Sequence, residues 1–231
     1  MKEAIILAGG LGTRLQSVVN DRPKCMATVA QEPFLKYIFD YLHKANFTHV
    51  ILALGYKSEF VLDWLSKVSY TFEVSYVIEE EPLGTGGAIK YAFEKSKSTY
   101  AFVFNGDTFF DIDTCGLEKF HTETKSDITL ALKPKTDFDR YGSVDIDGTS
   151  RITRFNEKQY QHKGLINGGV YLINKSIFNS NLPTKFSFEK DILEHKIEAL
   201  NIYGFIQDSY FIDIGIPSDY DKANIDFIFL K

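Results

Sequence analysis

The apolar run Ala4-Ile5-Ile6-Leu7 passes through Ala8 into Gly9-Gly10-Leu11-Gly12, three glycines within four positions, and then into Thr13-Arg14-Leu15. No other stretch narrows the available folds as much. A short apolar run that ends at glycines reads as a buried strand handing over to a loop. Glycines there let successive backbone N–H groups come close to a ligand. Arg14 adds a permanently charged fork of donors suited to phosphate oxygens, and Lys24 follows within Arg22-Pro23-Lys24. Strand, glycine loop and two cations describe a cradle for the phosphates of a nucleotide.

Two familiar cradles do not fit. The dinucleotide fingerprint needs a third glycine where Leu15 stands and an acidic residue about 20 positions later. The P-loop needs Gly-Lys-Ser/Thr, which occurs nowhere in the chain. A lone Gly-Gly-x-Gly can also be no more than a tight turn; the two cations close downstream count against that reading.

Further along, strands and helices alternate. Helical spacing of Phe34, Leu35, Ile38, Phe39, Tyr41 and Leu42 predicts a helix. Val50 to Leu54 reads as a buried strand, and 58–65 as a helix capped by Ser58. Val74 to Ile78 and Tyr100 to Phe104 read as strands, with a helix over 87–95 between them. Ile128 to Leu132, Ser143 to Ile146, Ile152 to Phe155 and Gly169 to Ile173 add strands after residue 126. Such alternation predicts an α/β fold, a Rossmann-like and mostly parallel mixed sheet flanked by helices, with ligands outside the carboxyl ends of the strands. At 231 residues the chain is expected to be one domain. Residues 1–125 would mainly bind nucleotide and 126–231 the second substrate.

A net charge of −5 with no basic stripe argues against nucleic-acid binding, so attraction for anionic substrates must come from a few placed cations. Cys25 and Cys115 make neither a disulfide framework nor a metal spacing. A buried, inert thiol is expected at Cys25. No signal peptide precedes Ala4 and no apolar run is long enough to span a bilayer, so a cytoplasmic location and no membrane partner are expected.

Four further phrases carry chemistry: Glu80-Glu81-Pro82-Leu83-Gly84-Thr85-Gly86-Gly87, Asn105-Gly106-Asp107, Tyr141-Gly142 with Glu157-Lys158 and Asn167-Gly168-Gly169, and Asp213-Ile214-Gly215-Ile216-Pro217-Ser218-Asp219-Tyr220. Together with Gly9-Gly10-Leu11-Gly12-Thr13-Arg14-Leu15 and Pro23-Lys24, and in this order, they resemble the sugar-1-phosphate nucleotidyltransferase family. The chain departs from the family pattern after Lys24, where Cys25 and Thr28 stand in place of prolines. The chain is also too short to hold the left-handed β-helix that some relatives carry after this domain.

The resemblance implies a reaction in which a sugar 1-phosphate oxygen attacks the α-phosphorus of a nucleoside triphosphate and pyrophosphate leaves. The nucleophile belongs to the substrate, so the protein must supply positioning and charge neutralisation. It implies Mg²⁺ held by Asp107 and Asp213, each after an apolar strand-like run. Arg14 and Lys24, with Asp107, would act at the triphosphate. Leu7, Ala8, Gly9, Gly10, Gly12, Thr13, Gly84 and Gly87 would frame the nucleotide. Tyr141, Gly142, Glu157, Lys158, Asn167 and Gly168 would hold the sugar phosphate. Asp111 and Asp113 are expected to cap or solvate the next helix.

A carboxylate can accept both N1–H and the exocyclic amine of guanine, and Glu79 or Glu80 is placed to do so. The phrase from Glu81 to Gly87 is more similar to the family's guanylyl branch than to its thymidylyl branch. Longer phrases, Asn105 to Asp111, Asp137 to Gly142 and Gly164 to Tyr171 among them, are most similar to members that act on a heptose 1-phosphate. The substrates implied are GTP and a sugar 1-phosphate; the competing readings are transfer to mannose 1-phosphate or another sugar-1-phosphate nucleotidyltransferase such as a uridylyltransferase, a silent binding protein is the reading from another class, and a homodimer is one possible assembly.

Overall fold

The apolar runs at 4–7, 50–54, 74–78 and 100–104 become strands, and backbone hydrogen bonds join them into one sheet. The computed structural model describes residues 1–10, 15, 19, 21–156, 159–179 and 181–229. The first series is β1 (Glu3–Ala8), a 3₁₀ turn at Lys24–Met26, a small hairpin of β2 (Thr28–Val29) and β3 (Glu32–Pro33), α1 (Phe34–Lys44), β4 (His49–Leu54), α2 (Ser58–Leu65), β5 (Glu73–Ile78), α3 (Gly84–Ala92) and β6 (Tyr100–Asn105). The second is β7 (Thr108–Phe110), α4 (Thr114–Glu123), β8 (Ile128–Phe138), the hairpin β9 (Val144–Ile146) and β10 (Ile152–Phe155), β11 (Gln161–Asn174), a π-helical turn at Phe188–Glu194, β12 (Ile202–Ile206), β13 (Phe211–Asp213) and α5 (Pro217–Phe229).

Among the described residues, seven strands form one sheet in the order β12-β8-β11-β6-β1-β4-β5. Only β11 runs antiparallel to its neighbours, so the mixed, mostly parallel sheet expected from the sequence is what forms. Alternation along each strand feeds two cores. Ala4, Ile6, Val50, Leu52, Phe102 and Phe104 face α1, α2, α4 and α5. Ile5, Ile51, Ala101 and Val103 face α3, the π-helical turn and the β9–β10 hairpin. The chain runs outward from β1 through β4 to β5 and then returns to β6 on the other side of β1. The carboxyl ends of β1 and its neighbours therefore flank a topological switch point, the position at which such sheets bind ligands. No described helix is long and apolar enough to cross a membrane.

Several local expectations are corrected. Helix α3 begins at Gly84 rather than residue 87 and ends at Ala92. Its glycine-rich first turn is a poor helix former, but partners from elsewhere hold it: the Glu79 carboxylate accepts the Leu83 N–H at 2.8 Å, and the Phe186 carbonyl accepts Gly86 N–H at 3.0 Å and Gly87 N–H at 3.4 Å. At α2, Ser58 is the first helical residue; the cap position is Lys57, in left-handed conformation at φ 54°, and its side chain does not cap the helix. Asn167-Gly168-Gly169 does not open a strand: it is a bulge inside the much longer β11, where the pairing with β8 slips between Asn167 and Tyr171. Asp113 caps α4 as expected, accepting from the N–H groups of Cys115 and Gly116.

At the amino ends of the strands, a carboxylate is buried in the sheet. Glu3 is 1 % exposed. His49 Nδ1 lies 2.9 Å from it, the Ser96 hydroxyl donates at 2.5 Å, and the N–H groups of Lys97 and Ser98 donate at 3.1 and 3.0 Å. Burial alone would raise the pKa of Glu3; these donors outweigh it and hold the group at about 2, against 4.5 ordinarily.

Two predictions follow from this packing. A folded pKa below the unfolded one gives stability that is complete above pH 4.5 and is lost as pH falls toward 2. The loss amounts to about 3 kcal/mol for Glu3. Urea midpoints at pH 6 and pH 3 should therefore fall further for the wild type than for Glu3→Gln, and equal falls would remove Glu3 as the cause. Gly84 has φ +73°, and a Cβ there would lie 2.5 Å from the Phe186 carbonyl oxygen. Gly84→Ala is expected to cost about 1–3 kcal/mol; an unchanged denaturation midpoint would show that the contact with Phe186 relaxes freely.

Candidate active site

A cavity of about 520 Å³ opens at the carboxyl ends of β1, β4 and β6. Leu7, Ala8, Gly9 and Gly10 continue β1 along one wall; Glu79, Pro82, Gly84, Thr85 and Ala88 form the α3 side; Lys24, Cys25, Asn105, Gly106 and Asp107 close the far end, and Glu189 reaches in from the π-helical turn.

The position of Asp107 is set by a close backbone approach. Gly106 N–H donates to Leu7 O at 2.9 Å, and a Cβ on Gly106 would lie 2.5 Å from that oxygen. Only glycine lets β6 end so near β1, and Asp107 then emerges at the floor of the cavity. Lys24, carried by the 3₁₀ turn after Pro23, places its Nζ 2.7 Å from Asp107 Oδ2, with its side chain 11 % exposed. Asp213 arrives from far along the chain. The antiparallel pairing of β13 with β7 sets Asp213 opposite Thr108, and Ile214 N–H donates to the Asp107 carbonyl at 3.0 Å. Its Oδ1 accepts from Gly215 N–H at 2.7 Å. A Cβ on Gly215 would lie 2.7 Å from Asp213 Oδ1 and 3.4 Å from Lys24 Nζ. One cation and two carboxylates therefore share one corner.

No cluster of three or more His, Cys, Asp or Glu side chains able to hold a metal occurs among the described residues. A corner with two carboxylates is not a closed protein cage. It fits a hard divalent ion that takes one or two carboxylates and completes its shell with phosphate oxygens and water.

Of the acidic triplet, Glu79 alone faces the cavity; Glu80 and Glu81 are exposed. Burial raises the pKa of Glu79, and the Leu83 N–H acts against that rise. Gly84 lines the cavity, whereas Gly87 packs on the Thr184 carbonyl behind α3. Tyr141 and Gly142 stand beside the cavity rather than in it. The Tyr141 ring meets Phe211 edge-on with centroids 6.0 Å apart, and its hydroxyl accepts from Arg140 at 3.1 Å. Burial, reinforced by the nearby Asp213 carboxylate, pushes that hydroxyl up to about 12. Asn167 Nδ2 donates to the Tyr171 hydroxyl and its Oδ1 accepts from Gly169 N–H, while Gly168 makes room for the Phe110 ring. Arg14, Gly12, Thr13, Glu157 and Lys158 lie outside the described residues.

Cys25 is buried at the cavity wall. Burial, and then the Asp107 charge, push its thiol up to about 12, so it is an inert wall residue as expected. Sequence reasoning gave no site role to Asn105, Thr85 and Pro82, although each stands inside a motif singled out, nor to Ala88, which directly follows one. It also missed Glu189, whose place depends on a fold contact that no local pattern encodes. The Thr85 hydroxyl donates to Glu189 at 2.6 Å and accepts from Phe188 N–H at 2.9 Å.

Comparison with known proteins agrees with this geometry. The chain is 51 % identical over 222 residues, 96 % of each chain, to D-glycero-alpha-D-manno-heptose 1-phosphate guanylyltransferase of Aneurinibacillus thermoaerophilus. It is 48 % identical over 219 residues to the protein of the same name in Campylobacter jejuni, covering 94 % of this chain and 96 % of that one. The crystal structure of HddC from Yersinia pseudotuberculosis complexed with GMP-PN superposes with a TM-score of 0.89 at 39 % identity, covering 98 % of this chain and all of that one. The family model for nucleotidyl transferases matches residues 3–228. The strand ends, the cation–carboxylate corner and these matches place the chain in one class: it belongs to the nucleotidyl transferase family.

Proposed function

We propose that this protein transfers GMP from GTP to D-glycero-α-D-manno-heptose 1-phosphate, giving GDP-heptose and pyrophosphate. The observation that carries the reading is the 51 % identity along 96 % of both chains to a relative named for that reaction. The GMP-PN bound to HddC, in a fold of TM-score 0.89 to this one, supports a guanine nucleotide.

In this reading Glu79 accepts from the guanine edge, held in place by its bond from Leu83 N–H. Residues 7–10, with Gly12, Thr13 and Gly84, frame the nucleotide. Lys24 and Arg14 donate to phosphate oxygens, Lys24 from the corner where Asp107 holds it. Tyr141, Gly142, Glu157, Lys158, Asn167 and Gly168 form the sugar-phosphate side, so residues 1–125 serve mainly the nucleotide and 126–231 mainly the acceptor. Asp107 and Asp213 would hold Mg²⁺, which would supply charge neutralisation for the two polyanions. The acceptor's own phosphate oxygen is the nucleophile, so no Ser, Cys or His need be activated, consistent with the inert Cys25 thiol. The placed groups act by alignment and by stabilising charge as it develops at the α-phosphate. The product suits the building of a bacterial surface glycan, with synthesis in the cytoplasm.

Pyrophosphate release measured across GTP, UTP, CTP, ATP and dTTP, each paired with heptose, mannose and glucose 1-phosphates, tests the whole reading. Release confined to GTP with the heptose phosphate is expected. Release with another pair would replace the substrates, and silence beside a working control enzyme would favour a binding protein. Asp107→Asn should fold normally yet turn over slower by orders of magnitude; near-normal turnover would take Asp107 out of the chemistry.

A further inference from the structure

The carboxylate of Glu189 has one oxygen fully engaged and one left for a ligand. Its Oε2 accepts the Thr85 hydroxyl at 2.6 Å and the Ser187 hydroxyl at 3.0 Å. Each of these hydroxyls is itself pinned by a backbone donor: Phe188 N–H to Thr85 at 2.9 Å, and Lys190 N–H to Ser187 at 3.2 Å. A hydroxyl has a single proton, and here both point at Oε2, so the carboxylate is fixed in orientation before any substrate arrives. No described residue donates to Oε1, and no described Lys, Arg or His pairs with Glu189. The side chain lines the cavity from a π-helical turn, a local geometry that often marks functional sites.

The chemistry of the occupant can be narrowed. A fixed carboxylate repels phosphates, and Glu79 on the α3 side already offers an acceptor to a base. What remains is a neutral, hydroxyl-bearing part of a substrate, either the nucleotide's ribose or the acceptor sugar. The walls favour the acceptor. Phe188, next to Glu189, packs edge-on against the buried Tyr171 with centroids 5.3 Å apart. The Tyr171 hydroxyl accepts from Asn167 Nδ2 at 2.8 Å. Glu189 is thus continuous with the β11 bulge and with the half of the chain assigned to the sugar.

We propose that Glu189 is a specificity-determining residue whose Oε1 accepts a hydroxyl of the acceptor sugar. This rests on the guanylyltransferase reading above and deepens it. The test is a pair of steady-state titrations, acceptor at saturating GTP and GTP at saturating acceptor, on the wild type, Glu189→Gln and Glu189→Asp. Loss of a hydrogen bond to a charged acceptor is expected to raise KM for the sugar phosphate about ten- to a hundredfold. KM for GTP should stay within about twofold, and the thermal midpoint should be close to that of the wild type. Glu189→Asp, which keeps the charge on a shorter stem, should fall between. Wild-type turnover with an unchanged acceptor KM in both variants would overturn the inference and leave the proposed function standing. A rise in KM for GTP of equal or greater size would assign Glu189 to the ribose or to support of α3, and would also overturn it. A wild type silent with every acceptor would fail the proposed function itself and the inference with it.

Discussion

The short antiparallel pairing of β13 with β7 is the contact on which the corner of Lys24, Asp107 and Asp213 depends. Asp107 and Asp213 lie far apart in the chain, and neither would form a site alone. Three residue pairs, with Asp213 opposite Thr108, bring them to one edge, and Ile214 N–H on the Asp107 carbonyl fixes the register at the point that matters. Lys24 completes the group, its Nζ 2.7 Å from Asp107 Oδ2. Helix α5 ties it down further: Tyr220 donates its hydroxyl to the Thr28 carbonyl and Asn224 accepts from Ala30 N–H, which links the turn after Asp213 to the segment that follows Lys24.

The rest of the sheet holds this corner rigid. Parallel strands buried on both faces leave little room for adjustment, and the Glu3 network clamps the opposite ends of β1 and β4 to the loop at 96–98. The molecule therefore carries its satisfied, closed polar network at the amino ends of the strands. The polar groups that line the cavity stand at the carboxyl ends, where glycines keep the backbone open.

Much of this was legible in the residues. The apolar runs located β1, β4, β5 and β6 to within a residue or two; β1, β4 and β6 are buried parallel strands, which read as continuous apolar runs, and β5 is the edge strand beside β4. Asp107 and Asp213 could be singled out because each follows such a run and is accompanied by glycine. The choice between Glu79 and Glu80 could not be made without the strand. Glu79 N–H bonds Leu54 O and so extends the β4–β5 ladder by one step, which puts the Glu79 side chain on the same face as buried Val77 and turns Glu80 outward. The start of α3 was hidden because its stabilising partners, Glu79 and the Phe186 carbonyl, are tertiary. Glu189 was hidden for the same reason. Asn167 and Gly168 read as a loop contact for a ligand, yet their first duty is a bulge that fits Phe110 beneath β11.

The backbone bonds between 184–187 and the start of α3 have a consequence for recombination among relatives. Phe186 N–H donates to Leu83 O, and the Phe186 carbonyl receives Gly86 and Gly87. The loop that lines the cavity and the segment that leads to Glu189 are thus one mechanical piece written in two distant parts of the sequence. A chimera that imports residues 79–88 from a relative with a different nucleotide would strand that loop against a foreign partner unless 184–189 travels with it. A crossover point between the two blocks is the place where hybrid chains should lose the packing at the start of α3.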